Sequence, residues 1–145
     1  HTNTAVGAII RLQDMGVEPF LLSSSVIAVM AQRLVRLLCP HCKEAYTAGE
    51  AELAFLNKAD ETESLTLYRA KGCAHCNNTG YSGRTGIYEI IEIDDTLRNM
   101  IHEGEGEQAI VQYARRESPS ILDDGRRRIM SGETTVEEVL RVTSA

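Results

Sequence analysis

Apolar residues recur at three- and four-residue steps near the start of the chain: Val6, Ile9, Ile10 and Leu12 within TAVGAIIRLQDM, residues 4–15. That period predicts an amphipathic helix, and Gly16 is suited to end it. The proline at Pro19 pushes Glu18 out of the α region, so the bend VEPF must be followed by a new element. Residues 21–38, LLSSSVIAVMAQRLVRLL, are apolar around most of a helical circumference and predict a second, mostly buried helix.

Residues 47–68 show one short helical pattern, in Ala51, Leu53, Ala54 and Leu56, and then a polar stretch without a period. NNTGYSGRTG, residues 77–86, has the glycines and asparagines of turns. The next segment, IYEIIEI, alternates Ile87, Glu89, Ile91 and Ile93 against Tyr88, Ile90 and Glu92, and its β-branched content predicts a strand buried on both faces. Beyond Asp94 the segments LRNMIHEG, EQAIVQYARR, ILDDGRRRIMSG and TVEEVLRVT predict four short helices. Thr135 and Glu138 fit a capping box, in which hydroxyl and carboxylate each satisfy a free backbone N–H, and Ser120 with Asp123 is a looser version.

Composition predicts that these elements pack into a globular fold, helical or α/β. Apolar residues make up 43% and charged residues 25% of the 145, well away from the disordered class. Aromatics are scarce, so Leu, Ile and Val must fill the core, which disfavours an all-β sandwich. A net charge of −6 argues against a nucleic-acid partner, because phosphate binding needs a surplus of Lys and Arg. The one dense basic run, Arg126 to Arg128, follows Asp123 and Asp124 and reads as a solvated helix face. No apolar stretch reaches the ~18 residues of a membrane span, so no direct membrane insertion is expected. The chain opens at His1 with neither Met nor a signal-peptide pattern, and a piece of a longer protein is the expectation.

The chemistry lies in four cysteines arranged as two C-x-x-C pairs, Cys39 with Cys42 and Cys73 with Cys76. Two such knuckles across a loop deliver four thiolates to a tetrahedron, as a closed structural Zn²⁺ site requires. A disulfide framework suits small secreted chains without a core, and this chain has a core. A thioredoxin-type pair opens a helix, whereas here the first pair is expected to close one and the second leads into turns. His41 and His75 inside the knuckles could each replace a thiolate, but four thiolates already fill the site and such positions usually face solvent. No open coordination position or nearby general base marks a catalytic metal.

Three phrases together carry a family resemblance: the opening HTNTAVGAIIRLQDMGVEPFLLSSSVIAVMAQRLVRLLCPHC, the second knuckle CAHCNNTGYSGRTGIYEI, and the tail DDGRRRIMSGETTVEEVLRVT. They resemble the C-terminal part of the secretion traffic ATPases, the type II secretion branch in particular. The resemblance covers essentially the whole chain and is unspecific only over 47–68. It implies the C-terminal part of a RecA-like P-loop ATPase core (1–38), an inserted tetracysteine zinc subdomain (39–85), and a strand plus helical C-terminal subdomain (86–145).

The function implied is that of a hexameric cytoplasmic ATPase that powers pseudopilus assembly in type II protein secretion, peripheral to the bacterial inner membrane through its secretion-platform partners. His1 would close the family's histidine box as part of the catalytic site, and Arg33 would contact nucleotide or a neighbouring subunit. A plain helix-surface arginine is the alternative for Arg33. The four cysteines would bind Zn²⁺.

One departure is decisive for activity: the chain has no G-x-x-x-x-G-K-[ST] loop to cradle phosphates. GEGE at 104–107 lacks the lysine and would repel phosphate. ATP and Mg²⁺ therefore belong to the full-length parent, and the chain alone is expected to be inactive. Two other functions compete. One is the matching module of a type IV pilus assembly ATPase, although GETTVEEVLRVT and MGVEPFLLSSS look more like the secretion branch. The other is a stand-alone zinc-binding interaction module, similar in its second knuckle to the C-x-x-C-x-G-x-G repeats of J-domain chaperones.

Overall fold

A computed structural model describes residues 4–144. Helix α1 spans Ala5–Asp14, as its period predicts; the Thr4 hydroxyl accepts from the Gly7 N–H at its start, and Gly16 follows its end at φ +94°. After Glu18 the chain enters α2, Pro19–Ser25, with proline at the first helical position where no N–H is needed.

The helix predicted over 21–38 is not formed beyond Ser25. Val26 is extended, and Ala28–Leu38 is an eleven-residue strand, β1. Ala31 and Val35 are buried while Met30 and Leu34 point outward and remain exposed. Apolar residues on both faces erase the apolar–polar alternation that would have marked the strand, leaving a sequence that suits a buried helix equally well. The first cysteine pair therefore closes a strand rather than a helix.

The partner of β1 is β4, Tyr81–Glu92, and these two strands form a sheet of their own. Bonds from Ile93 N–H to Ile27 O (2.9 Å) and from Cys39 N–H to Gly80 O (2.9 Å) bracket the pair and give it an antiparallel sense. The strand begins six residues earlier than predicted, taking in YSGRTG. It is also not buried on both faces: Ile87, Glu89 and Ile91 are buried, but Tyr88 and Ile90 are exposed.

The residues fall into two compact units. One contains residues up to Gln32 together with Tyr88–Ile121. Here α2 packs on α4 (Asp95–His102), and α5 (Glu107–Glu117) packs on both α1 and α4. Val6, Ile9, Leu97, Ile101 and Ile110 form its interior. The Asp94 carboxylate caps α4 by accepting from Leu97 N–H at 2.8 Å, and Arg98 donates to Ser23 O at 2.6 Å.

The other unit contains Arg33–Ile87 and the residues from Leu122 onward. Within it a short hairpin, β2 (Glu44–Thr47) with β3 (Thr66–Arg69), was invisible in the polar excursion 47–68 and its approach. Its antiparallel register sets Glu44 opposite Arg69 and Tyr46 opposite Leu67. The helix between them, α3, covers Glu50–Phe55.

Helices α6 (Ile121–Met130) and α7 (Val136–Thr143) complete the predicted helical tail. Gly125 sits where an added Cβ would lie 2.5 Å from Val139 Cγ1, so the lack of a side chain lets α6 approach α7 closely. The turn between them is tied to β1 by Leu38 N–H to Glu133 O (2.8 Å) and Thr134 Oγ1 to Arg36 O (2.7 Å).

Two local expectations need correction. The Thr135 hydroxyl does cap α7, accepting from Glu138 N–H at 3.1 Å, but the Glu138 carboxylate binds Arg36 and Arg141 instead of reaching back to Thr135. The basic run is not one solvated face. Arg126 donates to Phe55 O at 2.6 Å and pairs with Asp123, Arg128 pairs with Glu133, and only Arg127 stands mostly in solvent.

Candidate metal centre

Each cysteine pair is presented by a tight backbone turn. After Leu38 the chain folds back on itself, with the N–H groups of Cys42 and Lys43 donating to Cys39 O at 3.3 and 3.1 Å. The second knuckle repeats this, with Cys76 and Asn78 N–H donating to Cys73 O at 3.3 and 2.8 Å. Asn77 and Asn78 both take the left-handed conformation there, which asparagine tolerates better than most residues. The Cys39 N–H to Gly80 O bond joins one knuckle directly to the other.

These turns bring all four Sγ atoms within 4.8 Å of one another. Cys39 and Cys73 stand 3.9 Å apart, Cys42 and Cys76 3.8 Å, and Cys73 and Cys76 3.8 Å. A disulfide needs sulfurs at about 2.05 Å, so none of these pairs is bonded. A tetrahedron with metal–sulfur bonds of about 2.3 Å has edges of about 3.8 Å, which is the spacing found. The donor set fits a closed four-thiolate metal site.

Backbone N–H groups point at the sulfurs. Cys76 Sγ accepts from Cys73 N–H and Gly80 N–H, both at 3.2 Å, and Cys42 Sγ accepts from Gly72 N–H at 3.4 Å. Burial alone would raise the Cys76 thiol, but its two amide donors and the neighbouring thiols outweigh that and bring it down to about 6. Burial dominates at Cys42, which is pushed up to about 11 despite the Gly72 N–H. The polypeptide by itself thus favours a thiolate at one corner, and a cation is needed to hold the full set deprotonated.

Glycine is required at both donor positions. Gly72 has φ +108°, and a Cβ there would lie 2.8 Å from Asn78 O. Gly80 has φ +80°, and a Cβ would lie 2.5 Å from the Ala70 side chain. In the sequence Gly80 reads only as one of the turn glycines of 77–86, and Gly72 carries no role of its own; the signal is a glycine immediately before Cys73 and another four residues after Cys76.

The structure unites Cys39, Cys42, Cys73 and Cys76, and neither His41, His75 nor Arg33 joins that cluster. Both His41 and His75 are exposed, as expected for the inner knuckle positions, and their rings stack on each other with centroids 4.0 Å apart. Arg33 lies half-buried on β1, six positions before Cys39, and not on a helix. His1 lies outside the described residues. Among the described residues no helix is long and apolar enough to cross a membrane.

The chain also matches known proteins over nearly its whole length. A family model described as type II/IV secretion system protein matches residues 1–141. The chain is 59% identical over 143 residues to the type II secretion system protein E of Pseudomonas aeruginosa and 55% identical over 143 residues to the type II secretion system ATPase E of Vibrio cholerae. Each match covers 99% of this chain and 28% of the relative. Identity to the type II secretion system protein HxcR of Pseudomonas aeruginosa is 50% over 144 residues. The chain spans about 28% of the length of the relatives it matches first, and it belongs to the type II/IV secretion system protein family.

Proposed function

We propose that this chain is the C-terminal, zinc-bearing part of a hexameric ATPase that drives type II protein secretion. In this reading residues 1–38 end a RecA-like ATPase core, 39–85 form the zinc subdomain and 86–145 the strand and helical subdomain. The observation that carries it is the cluster of four sulfurs at tetrahedral spacing in a chain of this family. Cys39, Cys42, Cys73 and Cys76 hold the ion, and bound Zn²⁺ supplies a cross-link between the two knuckles with no open position for chemistry. Gly72 and Gly80 orient the sulfurs through their N–H groups, and the Cys39–Gly80 bond keeps β1 and β4 in step where they reach the site.

The loop that cradles the phosphates of ATP and Mg²⁺ lies in the parent outside these residues, because the sequence contains no such loop followed by lysine. His1 and Arg33 contribute to that site from its edge. The parent works in the cytoplasm, assembled as a ring and held at the inner membrane by the secretion platform. The type II branch is favoured over pilus assembly by the names of the relatives, several of which are called type II secretion proteins.

A graft tests this. The chain replaces the matching 143 residues of the Pseudomonas aeruginosa relative, and ATPase rate and type II secretion are measured. Restored turnover and secretion, both lost with Cys73→Ser, are expected. A graft that restores neither while folding and binding zinc would overturn the assignment.

A further inference from the structure

Beside the second knuckle an open pocket of about 450 Å³ is lined by Arg36, Thr79, Tyr81, Gly83, Arg84 and Arg141. Three guanidinium groups converge on it from β1, β4 and α7. Among the described residues its lining includes no carboxylate, which is unusual for a chain of net charge −6. Like charges gathered around a concavity repel unless something of opposite sign sits among them.

Part of that compensation is built in. Glu138, 1% exposed, accepts from Arg36 Nε at 3.1 Å and Nη2 at 2.9 Å, and from Arg141 Nε at 3.2 Å and Nη2 at 2.5 Å. The Arg36 guanidinium also lies 4.2 Å over the Tyr81 ring. Tyr81 is in turn anchored by its hydroxyl on Thr135 Oγ1 at 2.8 Å. Two arginines are therefore fixed in orientation, each with its Nη1 donors left over. Arg84 is exposed and has no acceptor among the described residues, so its whole fork is available. Three positive charges against the single Glu138 carboxylate leave two positive charges at one pocket.

We propose that this pocket binds a phosphoryl group, a phosphate monoester dianion held between Arg84 and the free ends of Arg36 and Arg141. Two surplus charges match the charge of −1.5 to −2 on a phosphate monoester at neutral pH. Guanidinium forks match phosphate oxygens in pairs, and donors held in place before binding lose little freedom when the ligand arrives. The site is distinct from the cysteine cluster and needs no nucleotide loop.

The test is calorimetric titration of the 145-residue chain with inorganic phosphate at low ionic strength, alongside Arg84→Ala and Arg116→Ala. Arg116 is an exposed arginine of α5 outside the pocket and serves as the control for general charge. One phosphate per chain is expected, weakened about tenfold or more by Arg84→Ala and little changed by Arg116→Ala, since a charge-assisted hydrogen bond is worth about that factor. Arg84 has no structural partner, so its removal leaves the fold intact, which the unfolding midpoint verifies. Co-sedimentation with phosphatidylcholine vesicles carrying phosphatidic acid presents the same group on a lipid. Binding to vesicles alone, lost with Arg84→Ala, would assign the ligand to a lipid headgroup. No binding in either format, or equal losses in the two arginine variants, would overturn the proposal.

Discussion

Arg36 on β1 and Glu138 on α7, 102 positions apart, are joined through both backbone and side chain. Glu138 Oε1 accepts the Arg36 backbone N–H at 2.9 Å, and Oε2 accepts from its guanidinium. One carboxylate thus serves a strand-edge amide and two arginines while fully buried. Replacing it with alanine leaves the amide without an acceptor and both guanidiniums without their anchor. Glu138→Ala should lower stability by about 2–3 kcal/mol in urea unfolding, the range for losing charge-assisted hydrogen bonds.

The same group sets an acid limb. Burial would raise the Glu138 carboxyl, but hydrogen bonds from Arg141 and Arg36 outweigh it and hold it at about 2, against about 4.5 in the unfolded chain. A folded value below the unfolded one means that the unfolded chain takes up the proton first. The contribution is therefore fully present above about pH 4.5 and fades as pH falls toward 2. Urea midpoints of the parent chain and Glu138→Gln should differ most at neutral pH and converge as the acid limb is descended. A constant difference down to that range would contradict the assignment.

These examples mark where the sequence was legible. Helix α1, the four tail helices and the cysteine spacing could be read directly, because each depends on local period or on pairs close in sequence. Strand β1 could not: Met30 and Leu34 make its outer face apolar, and helix and strand then predict the same composition. The hairpin β2–β3 hid because its pairing joins residues 19 to 25 positions apart through short, polar segments. The fate of Glu138 was half legible. Its N–H fits the cap that Thr135 predicts, but the acceptor side is claimed by Arg36, which only the tertiary fold brings there.

Gly80 should be far less replaceable than Gly16, although both have positive φ near 80–94°. A left-handed alanine costs about 1 kcal/mol in either place. At Gly16 nothing lies within 4 Å of an added Cβ, whereas at Gly80 the Ala70 side chain and backbone are in the way. Gly16→Ala should therefore cost only the conformational term. Gly80→Ala should also displace the N–H from Cys76 Sγ and weaken metal retention about 10- to 100-fold in chelator competition, as loss of an outer hydrogen bond does.

Glu89 plays a comparable part in the other unit. It is buried, accepts from Ala5 N–H at 2.9 Å and Ile121 N–H at 3.2 Å, and pairs with Arg115. Alternation alone placed it on the same face as Ile87 and Ile91, and these three partners account for a charge in that position. Glu89→Ala should destabilise by about 3 kcal/mol, as removing one side of a buried pair does. Hydrogen exchange at Ala5 and Ile121 should accelerate more than at sites throughout the unit.

In the proposed site four thiolates hold one zinc ion. Intact-mass measurement of the chain purified under reducing conditions, combined with X-ray absorption at the zinc edge, tests it most directly. The expected result is one zinc per chain surrounded by four sulfurs at about 2.3 Å. A metal-free chain with four freely titrating thiols, or one whose mass shows the cysteines joined as disulfides, would contradict it.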